Sequence, residues 1–152
     1  GKALTGGAIT MAATLASEEV FTSFLSDDPE HAFMHGPTYM ANPLACAAAN
    51  ASLDLFEKEP RLKQVEAIEA QLREALEPCQ DFPTVEDVRV KGAIGVVQLK
   101  AGIMRKDKLR QKFIEQGVWI RPFGDIVYIT PAFTITQEEC GKLCEAIRSI
   151  LK

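Results

Sequence analysis

The chain has 152 residues, of which 47% are hydrophobic and 25% charged, and its formal net charge is −4. This composition is typical of a globular protein that buries a core of its own. The acidic balance and the lack of a basic stripe argue against nucleic acid and anionic membrane as partners. No apolar run approaches the roughly 18 residues that a membrane span needs.

The beginning of the chain contains a lysine in a glycine-rich setting, followed by small residues. Lys2 precedes Gly6 and Gly7, which leave the backbone free, but on spacing alone it is a solvated surface lysine. The run from Ala8 to Ala16 predicts a buried strand, although a helix is also compatible with a run this short. Ser17 is the predicted N-cap of a short helix with an acidic first turn.

A polar turn and a helix form the central stretch. The turn His35-Gly36-Pro37-Thr38 offers backbone donors and one hydroxyl, which suit an anion such as phosphate, whereas most turns of this kind bind nothing. Asn42 is a favoured N-cap residue, and Pro43 suits the first helical position because it lacks an N–H. A helix is therefore predicted from there to about Glu59.

Residues 56–152 alternate helices and short strands. The predicted elements are a helix from Arg61 to Glu77, strands from Val85 to Val90 and Ala93 to Leu99, a helix capped by Asp107 and closed by Gly117, strands from Val118 to Arg121 and Ile126 to Thr130, and a helix begun by a capping box at Thr136 and Glu139. This order predicts an α+β fold in which helices cover one side of a small sheet. Residues 1–55 contain too few elements to form a domain of their own.

The cysteines and histidines predict neither disulfide bonds nor a metal site. A disulfide framework is not expected in a chain with a core of this size, so reduced thiols and a cytoplasmic setting are predicted. His31 and His35 have helical spacing, but the following Gly36-Pro37 argues against a helix, and no metal site is predicted. The four cysteines are Cys46, Cys79, Cys140 and Cys144.

One arginine in the second half is a candidate for binding a carboxylate. Arg121 ends a predicted strand just before a turn, where its planar guanidinium can bind a carboxylate through two hydrogen bonds. The alternative is a local ion pair with Asp125 across the turn. Trp119 precedes it on the same predicted strand, and we expect this ring to pack in the core or in an interface.

Several sequence runs resemble the class III aminotransferases, which are pyridoxal-phosphate enzymes of fold type I. They are GKALTGG at residues 1–7, HGPT at 35–38, VRVKGAIG at 88–95 and GVWIRPFG at 117–124. Within that family, the last two runs are similar to the members of biotin biosynthesis. Those members transfer an amino group from S-adenosylmethionine to 8-amino-7-oxononanoate. An ω-aminotransferase acting on ornithine, 4-aminobutyrate or a diamine is the alternative.

The resemblance implies roles for individual residues. The cofactor would be pyridoxal 5′-phosphate, with Lys2 as the lysine that binds it covalently and then moves a proton. In a homodimer, Thr38 would donate to the phosphate of the neighbouring subunit's cofactor. Arg121 would bind the substrate carboxylate and Tyr128 would line the same pocket, although a half-buried strand tyrosine is the simpler reading of Tyr128. The cofactor-binding residues implied are Lys2, Gly36, Pro37 and Thr38.

The resemblance also implies a domain division. Residues 1–55 would be an incomplete piece of the large, cofactor-binding α/β domain, and residues 56–152 the C-terminal small α+β domain. The family's pyridinium-binding aspartate, ring-stacking aromatic residue and glycine-rich phosphate loop precede the lysine and are not in this sequence. We therefore expect the 152 residues by themselves to be folded and catalytically silent, and to pack or dimerise through exposed large-domain surface.

Overall fold

The chain divides into two units, Gly1–Glu59 and Pro60–Lys152, in a computed structural model that describes residues 3–103 and 106–152. The helices are α1 (Glu18–Thr22), α2 (Pro43–Lys58), α3 (Arg61–Leu76), α4 (Lys106–Glu115) and α5 (Gln137–Leu151), and the strands are β1 (Val85–Lys91), β2 (Ile94–Leu99) and β3 (Ile126–Ile129). Short 3-10 helices span Pro29–His31 and Glu77–Asp81. In the described ranges, no helix is both long and apolar enough to cross a bilayer.

The helices of the first unit begin where the sequence predicts. Ser17 caps α1, since its side chain accepts a hydrogen bond from the N–H of Val20. Asn42 caps α2 more completely, because its Oδ1 accepts from the N–H groups of both Leu44 (3.0 Å) and Ala45 (3.3 Å). The predicted start of this helix is confirmed, and α2 ends one residue before the predicted Glu59.

The prediction of a buried strand from Ala8 to Ala16 is wrong. After bends at Ala8 and Ile9, this segment runs to Ser17 without regular secondary structure, and most of its side chains are exposed. A strand needs a hydrogen-bonded neighbour, and the described residues of Gly1–Glu59 contain no strand at all. The run of small apolar residues therefore has nothing to pair with inside this unit.

The second unit contains a three-stranded antiparallel sheet in the order β1-β2-β3. Lys91 pairs with Ile94, so β1 and β2 are joined by a two-residue loop. The first loop residue, Gly92, has φ +54°, as a type II′ hairpin requires. The predicted glycine turn between two strands is confirmed. The third strand pairs with β2 from Gly95↔Ile129 to Gln98↔Ile126.

Helices α3 and α5 cover one face of this sheet and enclose the core. The predicted apolar stripe of α3 is buried at Ile68, Leu72 and Leu76, whereas Leu62 at its first turn is exposed. The side-chain amide of Gln71 ties the two helices together by donating to the carbonyl of Gln137 at 2.7 Å. The largest fully buried side chains are Leu72, Leu76, Val97, Leu109, Phe113, Val127, Ile147 and Leu151.

The ends of α4 differ in how well they match the sequence prediction. The helix begins at Lys106, so Asp107 lies inside its first turn rather than at the predicted N-cap. Its C-terminal end is as predicted, since Gly117 has φ +73°. The N–H of Val118 donates to the carbonyl of Phe113 at 3.0 Å, which is the Schellman arrangement.

The segment Val118–Arg121 pairs with no strand among the described residues, so the strand predicted there is wrong. Its alternation of burial is nevertheless that of a strand, because Val118 and Ile120 are buried and Trp119 is exposed. After it, Phe123 and Ile126 exchange two backbone hydrogen bonds of 2.8 and 2.9 Å, which close a tight turn before β3. The pattern thus predicts which side chains are buried, but not which backbone groups are paired.

The capping box of α5 is confirmed. The hydroxyl of Thr136 accepts from the N–H of Glu139 at 3.2 Å, and the Glu139 carboxylate accepts from the N–H of Thr136 at 2.9 Å. The hydrogen bonds from the backbone and then the side chain of Thr136 hold the pKa of Glu139 below its ordinary value. The capping box therefore fixes the residue at which α5 begins, in the chain segment that follows β3.

Candidate functional site

The turn predicted at residues 35–38 lies slightly later in the structure, where residues 38–41 form it and Gly36 and Pro37 lead into it. The N–H of Met40 donates to the carbonyl of Pro37 at 3.0 Å, which closes the chain over the turn. A Cβ added at Gly36 would lie 3.3 Å from the Cε of Met40, so a larger residue there would displace that side chain. The absence of a side chain at Gly36 therefore lets the Met40 side chain lie close to the backbone at this point.

Thr38 offers two hydrogen-bond donors that no other described residue uses. Its side chain is exposed, and neither its hydroxyl nor its N–H bonds to any group in the part of the chain that the structure describes. The first N–H groups of α2 are not available in the same way, because Asn42 accepts those of Leu44 and Ala45. An anion at this point would be held by the turn rather than by the helix N-terminus. These donors fit a phosphate group.

The predicted site residues are distributed over both units of the chain. Lys2 lies outside the described residues. Thr38 belongs to the first unit, whereas Arg121 and Tyr128 belong to the second. The structure therefore brings together the two predicted substrate residues, Arg121 and Tyr128, by the cavity they share.

That cavity, of about 240 Å³, lies between the extended segment Val118–Arg121 and the end of β3. Arg121 and Tyr128 both line it, together with one side chain of α5, Leu143. Tyr128 stands opposite Val96 in the β2–β3 register, with 40% of its surface exposed. The other lining residues are Trp119, Ile120, Ile129, Thr130 and Pro131.

The Arg121 guanidinium is available to a ligand. Among the described residues it forms neither an ion pair nor a hydrogen bond, and the local ion pair with Asp125 is absent. Both side chains are exposed instead. An arginine without a protein partner beside an apolar cavity can bind a carboxylate through two parallel hydrogen bonds.

Trp119 does not lie in the core of the second unit. This ring was expected in the core or an interface, but within the described chain it is 68% exposed and lines the same cavity as Arg121. The core expectation is wrong because the buried side of the segment is occupied by Val118 and Ile120. The period of two in an extended segment was the signal, since residues 119 and 121 must share a side.

The sequence model of the family described as aminotransferase class-III matches residues 1–151 of the chain. The chain belongs to the class-III aminotransferase family. Members of this family are pyridoxal-phosphate enzymes. The predicted fold class is also confirmed, since this class-III chain combines helices with a small antiparallel sheet and matches a portion of solved aminotransferase structures.

Named relatives are similar to this class-III chain along nearly its whole length. The adenosylmethionine-8-amino-7-oxononanoate aminotransferase of Corynebacterium glutamicum is 45% identical over all of this chain, which corresponds to 36% of that protein. The crystal structure of the enzyme of that name from Methanocaldococcus jannaschii has a TM-score of 0.84 at 30% identity, over 97% of this chain and 36% of that one. A PLP-bound amine transaminase from an uncultivated Pseudomonas species has a TM-score of 0.82 at 29% identity, with the same coverage of 97% and 36%. The chain thus spans about a third of the length of these relatives.

Proposed function

We propose that this chain is part of an adenosylmethionine–8-amino-7-oxononanoate aminotransferase. The enzyme would transfer an amino group from S-adenosylmethionine to 8-amino-7-oxononanoate and so form 7,8-diaminononanoate in biotin biosynthesis. The observation that carries the proposal is the 45% identity along the entire chain to the Corynebacterium enzyme of that name. The Arg121 guanidinium, which has no partner among the described residues and lies beside an apolar cavity, supports it, because the acceptor substrate is an aliphatic carboxylate.

The cofactor in this proposal is pyridoxal 5′-phosphate. When bound, it supplies the electron sink through which an amino group is transferred. The hydroxyl and the N–H of Thr38 would donate to its phosphate, which in a homodimer would belong to the cofactor of the neighbouring subunit. The amine of Lys2 would hold the cofactor covalently and would move the proton at the substrate carbon that carries nitrogen. The cofactor-binding residues are Lys2, Gly36, Pro37 and Thr38.

The substrate carboxylate is held by Arg121 in the second unit. Its guanidinium forms two parallel hydrogen bonds to the carboxylate, which fix both the position and the orientation of the substrate. Tyr128 lines the same cavity and presents a phenol that can donate to the same carboxylate. When the aliphatic part of the substrate covers the apolar walls, water leaves the cavity, and the loss of water strengthens the attraction between the two charges.

The domain assignment is part of the proposal. Residues 1–55 belong to the large cofactor-binding domain and residues 56–152 to the small domain of a cytoplasmic homodimer. Large apolar side chains on the first unit support this assignment, because Leu15 is 97% exposed and Met34 is 92% exposed. Apolar surface on this scale is normally covered by protein. The 152 residues alone are therefore expected to give no transamination above that of free cofactor.

The full-length gene product tests the function directly. We expect S-adenosylmethionine and 8-amino-7-oxononanoate to give 7,8-diaminononanoate, identified by mass spectrometry, at a higher kcat/KM than any other pair. The comparison substrates are ornithine, 4-aminobutyrate and a diamine with a keto acid acceptor. Faster turnover of one of these would assign the protein to another ω-aminotransferase.

The role of Arg121 is tested in the same protein. Arg121→Lys keeps the charge but loses the planar pair of donors, so KM for 8-amino-7-oxononanoate should rise by about tenfold or more. Arg110→Lys on α4 is the matched control, since Arg110 is exposed and does not line the cavity. Equal KM values for the two variants would remove Arg121 from the site.

The role of Lys2 is tested by chemical labelling. Borohydride reduction of the full-length protein with pyridoxal phosphate, followed by peptide mapping, should place the cofactor on Lys2. Lys58 and Lys142, which are both exposed, serve as internal controls. Labelling spread evenly over these lysines would contradict the assignment.

A further inference from the structure

Trp119 and Arg121 lie on the same side of the extended segment Val118–Arg121. Ile120 between them is 2% exposed and points into the core, whereas Trp119 is 68% exposed. Neighbours two apart in an extended chain project in the same direction. The largest exposed ring of this segment therefore stands next to the guanidinium that lacks a protein partner among the described residues.

The shape of the shared cavity limits what can lie in it. Its volume of about 240 Å³ falls below the ~300–1,000 Å³ that is typical of sites for drug-sized ligands. A slender aliphatic chain fits a space of this size. The apolar walls are formed by Trp119, Ile120, Ile129, Pro131 and Leu143.

The apolar surface continues beyond this cavity. Trp119 and Leu143 also line a second cavity of about 560 Å³, on the side where Gly117 and Lys142 lie. Trp119 therefore forms part of both cavities within the second unit. A chain whose carboxylate is bound by Arg121 can stay in contact with the indole over several methylene groups.

We propose that Trp119 determines specificity for the acceptor substrate. Its indole forms the wall against which the methylene chain of a straight-chain carboxylate lies while Arg121 binds the carboxylate. This inference rests on the proposed function, which assigns the carboxylate to Arg121. Each methylene group removed from water favours binding, and the rigid indole provides this contact at little cost in side-chain entropy. The wall selects for chain length, whereas the arginine selects for charge.

Calorimetric titration of the full-length, cofactor-loaded protein with acetate, pentanoate and nonanoate tests whether Trp119 contacts the methylene chain. These acids carry neither amino nor keto groups, so they report binding without transamination. The affinity of the wild-type protein should rise with chain length. Trp119→Ala should weaken nonanoate binding by about tenfold and leave acetate binding unchanged. Trp119→Phe, which keeps an apolar ring, should retain most of the dependence on chain length.

Phe133→Ala is the matched control, because Phe133 is an exposed aromatic residue of the same unit that lines neither cavity. Its titrations should match those of the wild type. The inference is overturned if wild type and Trp119→Ala show the same dependence on chain length. It is also overturned if Trp119→Ala weakens acetate and nonanoate equally, as expected for a packing role.

The titration separates this inference from the proposed function. If S-adenosylmethionine-dependent transamination fails while Trp119→Ala still abolishes the dependence on chain length, the wall stands and the reaction assignment falls. If transamination is found and the affinity of the wild type does not depend on chain length, the reaction assignment stands and the role of Trp119 as a wall falls.

Discussion

Glu69 accepts a hydrogen bond from the backbone N–H of Gly92 at 2.8 Å, which links the middle of α3 to the hairpin loop between β1 and β2. Its other carboxylate oxygen accepts from Arg73 at 2.7 Å. Arg73 in turn donates to the carbonyl of Val90 at 2.9 Å. The hydrogen bond from Arg73, followed by that from Gly92, lowers the pKa of Glu69 below its ordinary value of 4.5. One carboxylate therefore fixes the hairpin against the helix.

Glu69→Gln should lower the thermal stability and change its dependence on pH. The folded state binds fewer protons than the unfolded state, since the folded pKa of Glu69 lies below 4.5. The stability it contributes is thus present above pH 4.5 and is lost as the pH falls through the folded pKa. Thermal unfolding from about pH 3 to about pH 7 measures this. The loss caused by Glu69→Gln should be largest near neutral pH.

Glu66→Gln on the same helix is the control for that experiment. Glu66 is exposed and forms no ion pair or hydrogen bond with the described residues. The Glu66→Gln protein should follow the wild-type pH profile. Parallel profiles for the two variants would show that the hydrogen bonds of the Glu69 carboxylate to Arg73 and Gly92 add nothing to stability.

Two glycine substitutions should change stability in opposite directions. A Cβ at Gly95 would lie 2.8 Å from the Cδ1 of Leu76, which is fully buried, so Gly95→Ala should cost ~1–3 kcal/mol by overpacking. A Cβ at Gly141 in α5 would meet only Gln71, at an ordinary 3.6 Å. Gly141→Ala should therefore stabilise by about 1 kcal/mol through helix propensity. Urea unfolding of both variants measures the two changes, and shifts of the same sign would contradict this account.

Thr38→Val should weaken the retention of pyridoxal phosphate, because valine keeps the shape of threonine and removes the hydroxyl. The loss of one hydrogen bond to a charged phosphate predicts an affinity lower by about tenfold. Absorbance of the full-length protein during dialysis follows cofactor release. Thr38→Ser retains the hydroxyl and should behave like the wild type, and equal release from both variants would exclude Thr38 from the phosphate site.

The thiols should differ in reactivity according to burial. Burial, and then the neighbouring Cys140, raises the pKa of the Cys144 thiol to about 12. Burial also raises the pKa of Cys79 and Cys140. Because only the thiolate is nucleophilic, these three should resist iodoacetamide at about pH 8 in the folded protein, while the partly exposed Cys46 reacts. Peptide mapping before and after unfolding checks this, and early labelling of Cys144 would contradict it.

Helix boundaries were predictable where local chemistry decides them. Asn42 and Thr136 each satisfy backbone donors within a few residues, so the caps depend on no distant part of the chain. The β1–β2 hairpin was predictable for a similar reason, since Gly92 supplies the positive φ that a two-residue loop needs. These features depend on short-range geometry and were read correctly from the sequence.

Strand pairing depends on distant residues and was not predictable in the same way. The segments Ala8–Ala16 and Val118–Arg121 both have strand-like composition, yet neither finds a hydrogen-bonded neighbour in the described chain. Periodicity reports burial, and a ladder also needs a partner. At the candidate site, the carboxylate-binding role of Arg121 was proposed from its motif. The alternation of residues 118–121 already indicates that Trp119 and Arg121 share a side, whereas the cavity that both line required three-dimensional coordinates.

The last helix closes the core of the second unit, and this has a consequence for biosynthesis. Ile147 and Leu151 of α5 are buried against the sheet, and the hydroxyl of Thr84 donates to the carbonyl of Leu151 at 2.6 Å. Ribosomes deliver α3 and all three strands before α5. Until then the part of the apolar core that α5 covers stays open to chaperones and proteases. A message cut before the codon for Thr136 would therefore yield a product that cellular quality control removes.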